Sequence, residues 1–132
     1  MRTKKLFAGM VLAVFLLTIP QAMATIDDGE PIDFEGTYQT YDGRTSGPMT
    51  GTISEDREDL EGVMIVRDLS CPINLKKVFE RGPLVWYIGT IEKLGEEFEM
   101  RILCRILPGS DSIFGTFGVS GLNFRGSFSV SA

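Results

Sequence analysis

The chain has 132 residues with 18 acidic and 13 basic side chains and no histidine, which excludes Ser/His/Asp and Cys/His nucleophile activation and imidazole-dependent zinc sites. All 18 acids follow Ala24, whereas Arg2, Lys4 and Lys5 precede it, so residue 25 onward carries ten bases and a net charge of −8. A field of that sign repels phosphate backbones and anionic membrane surfaces, so no nucleic-acid partner is expected and the charge serves chiefly to keep the protein soluble.

Residues 1–24 read as a cleavable signal peptide. Three bases precede an apolar run from Leu6 to Ile19, and Pro20 leads to Ala22-Met23-Ala24, the small-x-small spacing of a signal peptidase site. The run is shorter than the roughly 17–25 residues that cross a bilayer, and no later segment is apolar enough to do so. The expected compartment is extracytoplasmic, secreted or periplasmic, with no stable membrane span after cleavage. The remaining 108 residues suit one domain. In such a compartment Cys71 and Cys104 are expected to form a disulfide, worth roughly 3–4 kcal/mol on the chain-entropy model.

Residues 25–33, with Asp27, Asp28, Glu30 and Asp33, read as a flexible acidic arm, and 34–132 as the folded domain. The domain is organised by a recurring five-residue pattern: a large apolar residue, any residue, Gly, a small or β-branched residue, and a second large apolar residue. Its copies run from Phe34 to Tyr38, Met49 to Ile53, Leu60 to Met64, Tyr87 to Ile91, Ile113 to Phe117 and Phe124 to Phe128. Residues two apart in a strand share a face, so Gly36, Gly51, Gly62, Gly89, Gly115 and Gly126 each fall between two bulky neighbours on one side of a sheet.

Strands are accordingly expected at about 34–41, 49–54 and 60–67, joined by the turn residues Asp42, Gly43, Ser46, Gly47 and Pro48 and by the charged connection 55–59. Residues 68–82 admit two readings. Ile73, Leu75 and Lys77 alternate imperfectly as a strand. As a helix over 72–81, Pro72 occupies the first turn, Leu75, Val78 and Phe79 share a face, and Gly82-Pro83 provides the stop; this punctuation favours the helix. Further strands follow at about 84–91, 98–106, 112–119 and 122–130. The fifth segment faces Val85, Tyr87, Gly89 and Ile91 one way and Trp86 and Ile88 the other.

Short turns force antiparallel neighbours, so the expected fold is all-β: an antiparallel up-and-down meander of seven or eight strands curled into a small barrel or half-barrel, with the short helix at 72–81. The cysteines discriminate between these forms. In a regular eight-stranded meander they fall at opposite ends of the sheet, beyond the ~7 Å reach of a disulfide; a bridge therefore goes with the helix, and separate thiols with the barrel.

Phe34-Glu35-Gly36-Thr37-Tyr38 with Asp42-Gly43, and Gly115-Thr116-Phe117 leading to Phe124-Arg125-Gly126-Ser127-Phe128, resemble fragments of MORN-type β-hairpin repeats. The glycines are 15, 11, 27, 26 and 11 residues apart, without the regular period of a repeat array, and no membership follows. The strand count and Gly-rich meander are also similar to small lipocalin-like and avidin-like barrels, an analogy of fold alone.

Two candidate binding surfaces follow. Tyr38, Tyr87, Phe117 and Phe128 either line a cavity for a small apolar ligand or simply fill the barrel. Trp86, Ile88 and Leu103 form an outer apolar patch, either a partner interface or ground covered by residues 68–82. The acidic cluster Glu55, Asp56, Glu58, Asp59 and Glu61 lacks the ligand spacing and central glycine of a calcium loop and reads as a solvated turn. Neither a metal nor a cofactor is expected. The favoured function is an exported, non-enzymatic binding or interaction module. Its rivals are a structural envelope-associated protein and a small barrel enzyme working through carboxylates and Tyr38 or Tyr87.

Overall fold

The computed structural model describes Ile26 and residues 29–132; the expected signal peptide lies outside the described residues. Among the described residues eight strands follow one another: β1 (Ile32–Thr40), β2 (Ser46–Ile53), β3 (Asp59–Val66), β4 (Leu69–Arg81), β5 (Leu84–Lys93), β6 (Glu96–Arg105), β7 (Ser112–Val119) and β8 (Phe124–Ser131). Each pairs antiparallel with the next, and β8 pairs with β1 to close the barrel, Tyr38 opposite Phe128 and Gly36 opposite Val130. Among the described residues no helix is long and apolar enough to cross a membrane.

Alternation decides what faces inward. Phe34 and Tyr38, Met49 and Ile53, Leu60 and Met64, Tyr87 and Ile91, Ile113 and Phe117 are buried in pairs around their shared glycine, and Phe128 is buried beside Gly126. The glycines do more than leave room. A Cβ on Gly36 would sit 2.6 Å from the Val130 Cα, and one on Gly126 would sit 2.7 Å from the Thr40 Cα. These are main-chain atoms of the paired strand, so each glycine marks a place where two strands approach too closely for any side chain, the local coiling that eight strands need to close around so narrow a core.

The helix expected over 72–81 is absent: those residues belong to β4, the longest strand. Cys71, Ile73 and Leu75 point inward while Pro72, Asn74 and Lys76 point out. The alternation then breaks at a β-bulge. Lys77 pairs with Tyr87 but Phe79 with Trp86, so Val78 is the additional residue and everything beyond it changes face. That phase change produced the helix-like spacing of Leu75, Val78 and Phe79. Pro72 is tolerated because residues 69–72 pair with β3 alone, the β5 ladder beginning at Ile73. Gly82-Pro83, expected to stop a helix, is instead a two-residue hairpin turn with Gly82 at φ 59°.

The disulfide is corrected with the helix. Cys71 and Cys104 are both free and buried. The two strands that carry them flank β5 and run the same way; Cys104 is level with Val85, and Cys71, two residues before the Ile73–Ile91 pair, is level with Lys93. Eight residues of strand separate those levels, about 26 Å, against a limit of ~7 Å for bridged Cα atoms.

The N-terminal approach to β1 is anchored at Ile26, whose side chain is buried. Its N–H donates to the Ser110 carbonyl at 2.8 Å, and its carbonyl accepts from Gly109 N–H at 2.7 Å. Ile32 and Asp33, placed in the arm by their sequence, belong to β1.

Candidate functional site

The two ends of the barrel differ. At the lower end the β2–β3 connection folds over the opening. Tyr87 Oη donates to the Arg57 carbonyl at 2.9 Å, and Arg57 Nη1 donates to the Glu30 carbonyl at 2.8 Å. Lys77, the last inward residue of β4 before the bulge, pairs with Glu58 at 3.1 Å and Glu80 at 2.9 Å. Asp56 accepts from Ser54 Oγ at 2.6 Å and from Glu58 N–H at 3.0 Å, and these bonds hold its carboxyl below the usual range. Three carboxylates of the acidic cluster are thus spent, Asp56 on its own turn and Glu58 and Asp59 on Lys77 and Lys76.

At the upper end the β1–β2, β3–β4, β5–β6 and β7–β8 hairpins surround a pocket of about 270 Å³. Val66, Cys71, Ile91, Phe98, Val119 and Phe124 form its apolar walls and floor. Tyr38 and Phe117 lie beneath and pack ring against ring with each other and with Phe124 at centroid distances of 5.2–5.9 Å. The rim carries Arg44, Arg67 and Lys93 with a single carboxylate, Asp42. Asp42 is drawn into its own hairpin, accepting from Arg44 N–H at 3.0 Å and from Thr40 Oγ1 at 2.7 Å, and those bonds lower its pKa.

The four aromatics expected to line a cavity are all buried but do not converge on one. Tyr38 and Phe117 touch beneath the upper pocket, whereas Tyr87 reaches the lower cap and Phe128 lies against the inward side of Gly115. Tyr38 Oη donates to the Ile65 carbonyl at 2.6 Å. Burial raises the pKa of both tyrosines, so each hydroxyl is committed to a main-chain carbonyl as a neutral donor.

Trp86, Ile88 and Leu103 do share the outer face of β5 and β6, Trp86 directly opposite Leu103. What alternation could not reveal is their company. The bulge delivers Phe79 to the same face, its ring 5.1 Å from that of Trp86. Val78 and Phe79 stand 57% and 52% exposed at one flank, and Phe114 stands 57% exposed on β7. A groove of about 390 Å³ runs over this surface, with Tyr41 and Val78 among its walls. Arg101 and Arg125 line it, and Arg81 and Arg105 stand beside the strip, both paired with Leu84; all four are exposed. Of the acids nearby, Glu80 pairs with Lys77 and Glu99 accepts from Ser120 Oγ at 3.1 Å, while Glu92 and Glu97 face outward opposite each other further along β5 and β6. These arginines are scattered over 45 residues of chain and become neighbours only through strand pairing, so nothing in the sequence groups them.

Comparison with protein-family models, with curated proteins and with solved structures finds no match for this chain.

Proposed function

We propose that this protein is an exported, non-enzymatic interaction module whose working surface is the outer face of β4–β7, and that this face docks an extended acidic segment of a partner protein bearing apolar side chains. The observation that carries the reading is the β-bulge at Val78. Without it Phe79 would fall in phase with Cys71, Ile73 and Leu75 and point into the barrel; with it, the ring lies outside against Trp86. Bulges re-aim side chains, and exposed apolar strips with polar rims are characteristic of partner surfaces. Four arginines around the strip favour a partner of negative charge and disfavour a second copy of the same face, which would set arginine against arginine.

Two further observations support the reading. The Tyr38 and Tyr87 hydroxyls, the phenols that a small barrel enzyme would use beside its carboxylates, both donate to main-chain carbonyls, which argues against catalysis through them. Export rests on the charge and hydropathy pattern of residues 1–24.

The test is site-specific photocrosslinking in cells of the source organism producing the full chain, with a photoreactive residue at Ile88 or, as control, at Thr50 on the opposite side of the barrel. The proposal expects adducts from position 88 alone, mapping to an acidic stretch of one partner and lost in Phe79→Ser. Adducts with another copy of this chain, equal adducts from position 50, or none from position 88 would refute it.

A further inference from the structure

The upper pocket is independent of the outer face, and its charge runs against the composition of the chain. Acids outnumber bases by 18 to 13 in the sequence, yet the rim carries three cations and one carboxylate. The cations come from separate places: Arg44 from the β1–β2 hairpin, Arg67 from the β3–β4 turn and Lys93 from the end of β5. None of the three takes part in an ion pair among the described residues, where the lysine–carboxylate pairs all involve Lys76 or Lys77. The one rim carboxylate is already hydrogen-bonded within its own turn.

Arg67 is also held at a conformational cost. The β3–β4 connection is a two-residue hairpin, Arg67-Asp68, with φ 50° and 70°. Such a turn is best served by Asn or Asp followed by Gly, and a long side chain in this region is disfavoured. An asparagine at position 67 would be a better turn residue, but it would remove the guanidinium from the rim.

We infer that the upper mouth of the barrel binds a small organic anion, a carboxylate on a compact apolar body, with the carboxylate at Arg44, Arg67 and Lys93 and the body on Ile91, Val119 and Phe124. The pocket volume of about 270 Å³ falls just below the ~300–1,000 Å³ typical of drug-sized ligands, so the body is a short chain or a single ring. Guanidinium groups suit a planar carboxylate because they donate two parallel hydrogen bonds. Among the polar lining side chains, Asn123 adds a neutral donor and Asp42 disfavours a dianion.

The probes are hexanoate, hexan-1-ol and hexylamine, titrated separately into the isotopically labelled full chain and followed by amide chemical shifts. Hexanoate is expected to produce saturable shifts at Cys71, Ile91, Val119 and Phe124, to bind about tenfold more tightly than hexan-1-ol, and to weaken with added salt. Arg67→Asn separates binding from folding: its melting temperature should rise while hexanoate affinity falls about tenfold and hexan-1-ol affinity stays unchanged. Lys93→Gln should reproduce the selective loss for hexanoate. Equal affinity for hexanoate and hexan-1-ol, preference for hexylamine, shifts away from the mouth, no saturable response to hexanoate, or an Arg67→Asn protein that binds hexanoate normally would each overturn the inference. None of those results bears on the outer face.

Discussion

Gly126→Ala places one methyl group where two strands meet. Gly126 faces inward on β8 with Thr40 of β1 and Phe117 of β7 as its partners. The new Cβ would lie 2.7 Å from the Thr40 Cα and 2.8 Å from the Gln39 carbonyl carbon, with the Gln39 oxygen nearer still. None of these is the end of a flexible side chain, so relief requires the β1–β8 ladder to move. Overpacking of this kind costs about 1–3 kcal/mol. Gly118→Ala supplies the control. Gly118 lies on β7 but faces outward, and its Cβ would meet only the Arg125 side chain at 3.4 and 3.6 Å. With less unfolded-state entropy to lose, that substitution should be neutral or stabilise by about 0.4–1 kcal/mol. Urea denaturation followed by the fluorescence of Trp86, the single tryptophan, reads both. At an m-value of about 2 kcal/mol/M, Gly126→Ala should lower the midpoint by about 0.5–1.5 M, and Gly118→Ala should not lower it. An unchanged midpoint for Gly126→Ala, or an equal fall for Gly118→Ala, would refute the assignment of the in-phase glycines to strand contacts.

Other outcomes follow from the same packing. Neither Cys71 nor Cys104 should react with a bulky thiol reagent in the native protein, and both should react in urea; a mass two units lower, restored by reductant, would reveal a bridge and contradict the register. Burial pushes the Cys104 thiol from 9.0 up to about 12. The unfolded chain therefore loses this proton first, and stability is full below about pH 9 and falls as pH rises toward 12, by up to about 4 kcal/mol from this group. Denaturation measured across that range should show the fall, less steeply in Cys104→Ala. Tyr87→Phe removes the hydrogen bond to the Arg57 carbonyl and should cost about 1 kcal/mol in urea titration without altering the circular dichroism. Deleting residues 122–132 removes β8 and both of its ladders, so the product should be unfolded by circular dichroism rather than merely shortened.

Much of this barrel was legible because period-two alternation and in-phase glycines are local signals. The inward set Val85, Tyr87 and Ile91, the outward pair Trp86 and Ile88, and the pairing of consecutive strands all follow from them. β4 was misread for an equally local reason: Val78, one residue inserted into the alternation, shifted Phe79 out of phase, and the result mimicked helical spacing beside a proline and a Gly-Pro stop. The cysteine pairing fell with that reading, since the bridge needed the helix to bring the thiols together. The upper mouth was invisible on different grounds. Arg44, Arg67 and Lys93 are charged residues near turns, unremarkable singly, and only closure of β8 onto β1 gathers their hairpins around one opening. The arginine rim of the outer face is likewise a product of register.

Closure of the sheet with β4 extended is what places both surfaces. The most direct test is a nuclear Overhauser spectrum of the labelled protein, read for main-chain contacts across β1–β8 and β4–β5. Contacts between Tyr38 and Phe128, Gly36 and Val130, and Leu75 and Gly89 are expected together. Their absence, with sequential amide contacts of a helix across residues 72–81, would contradict the barrel and the placement of its outer face and mouth.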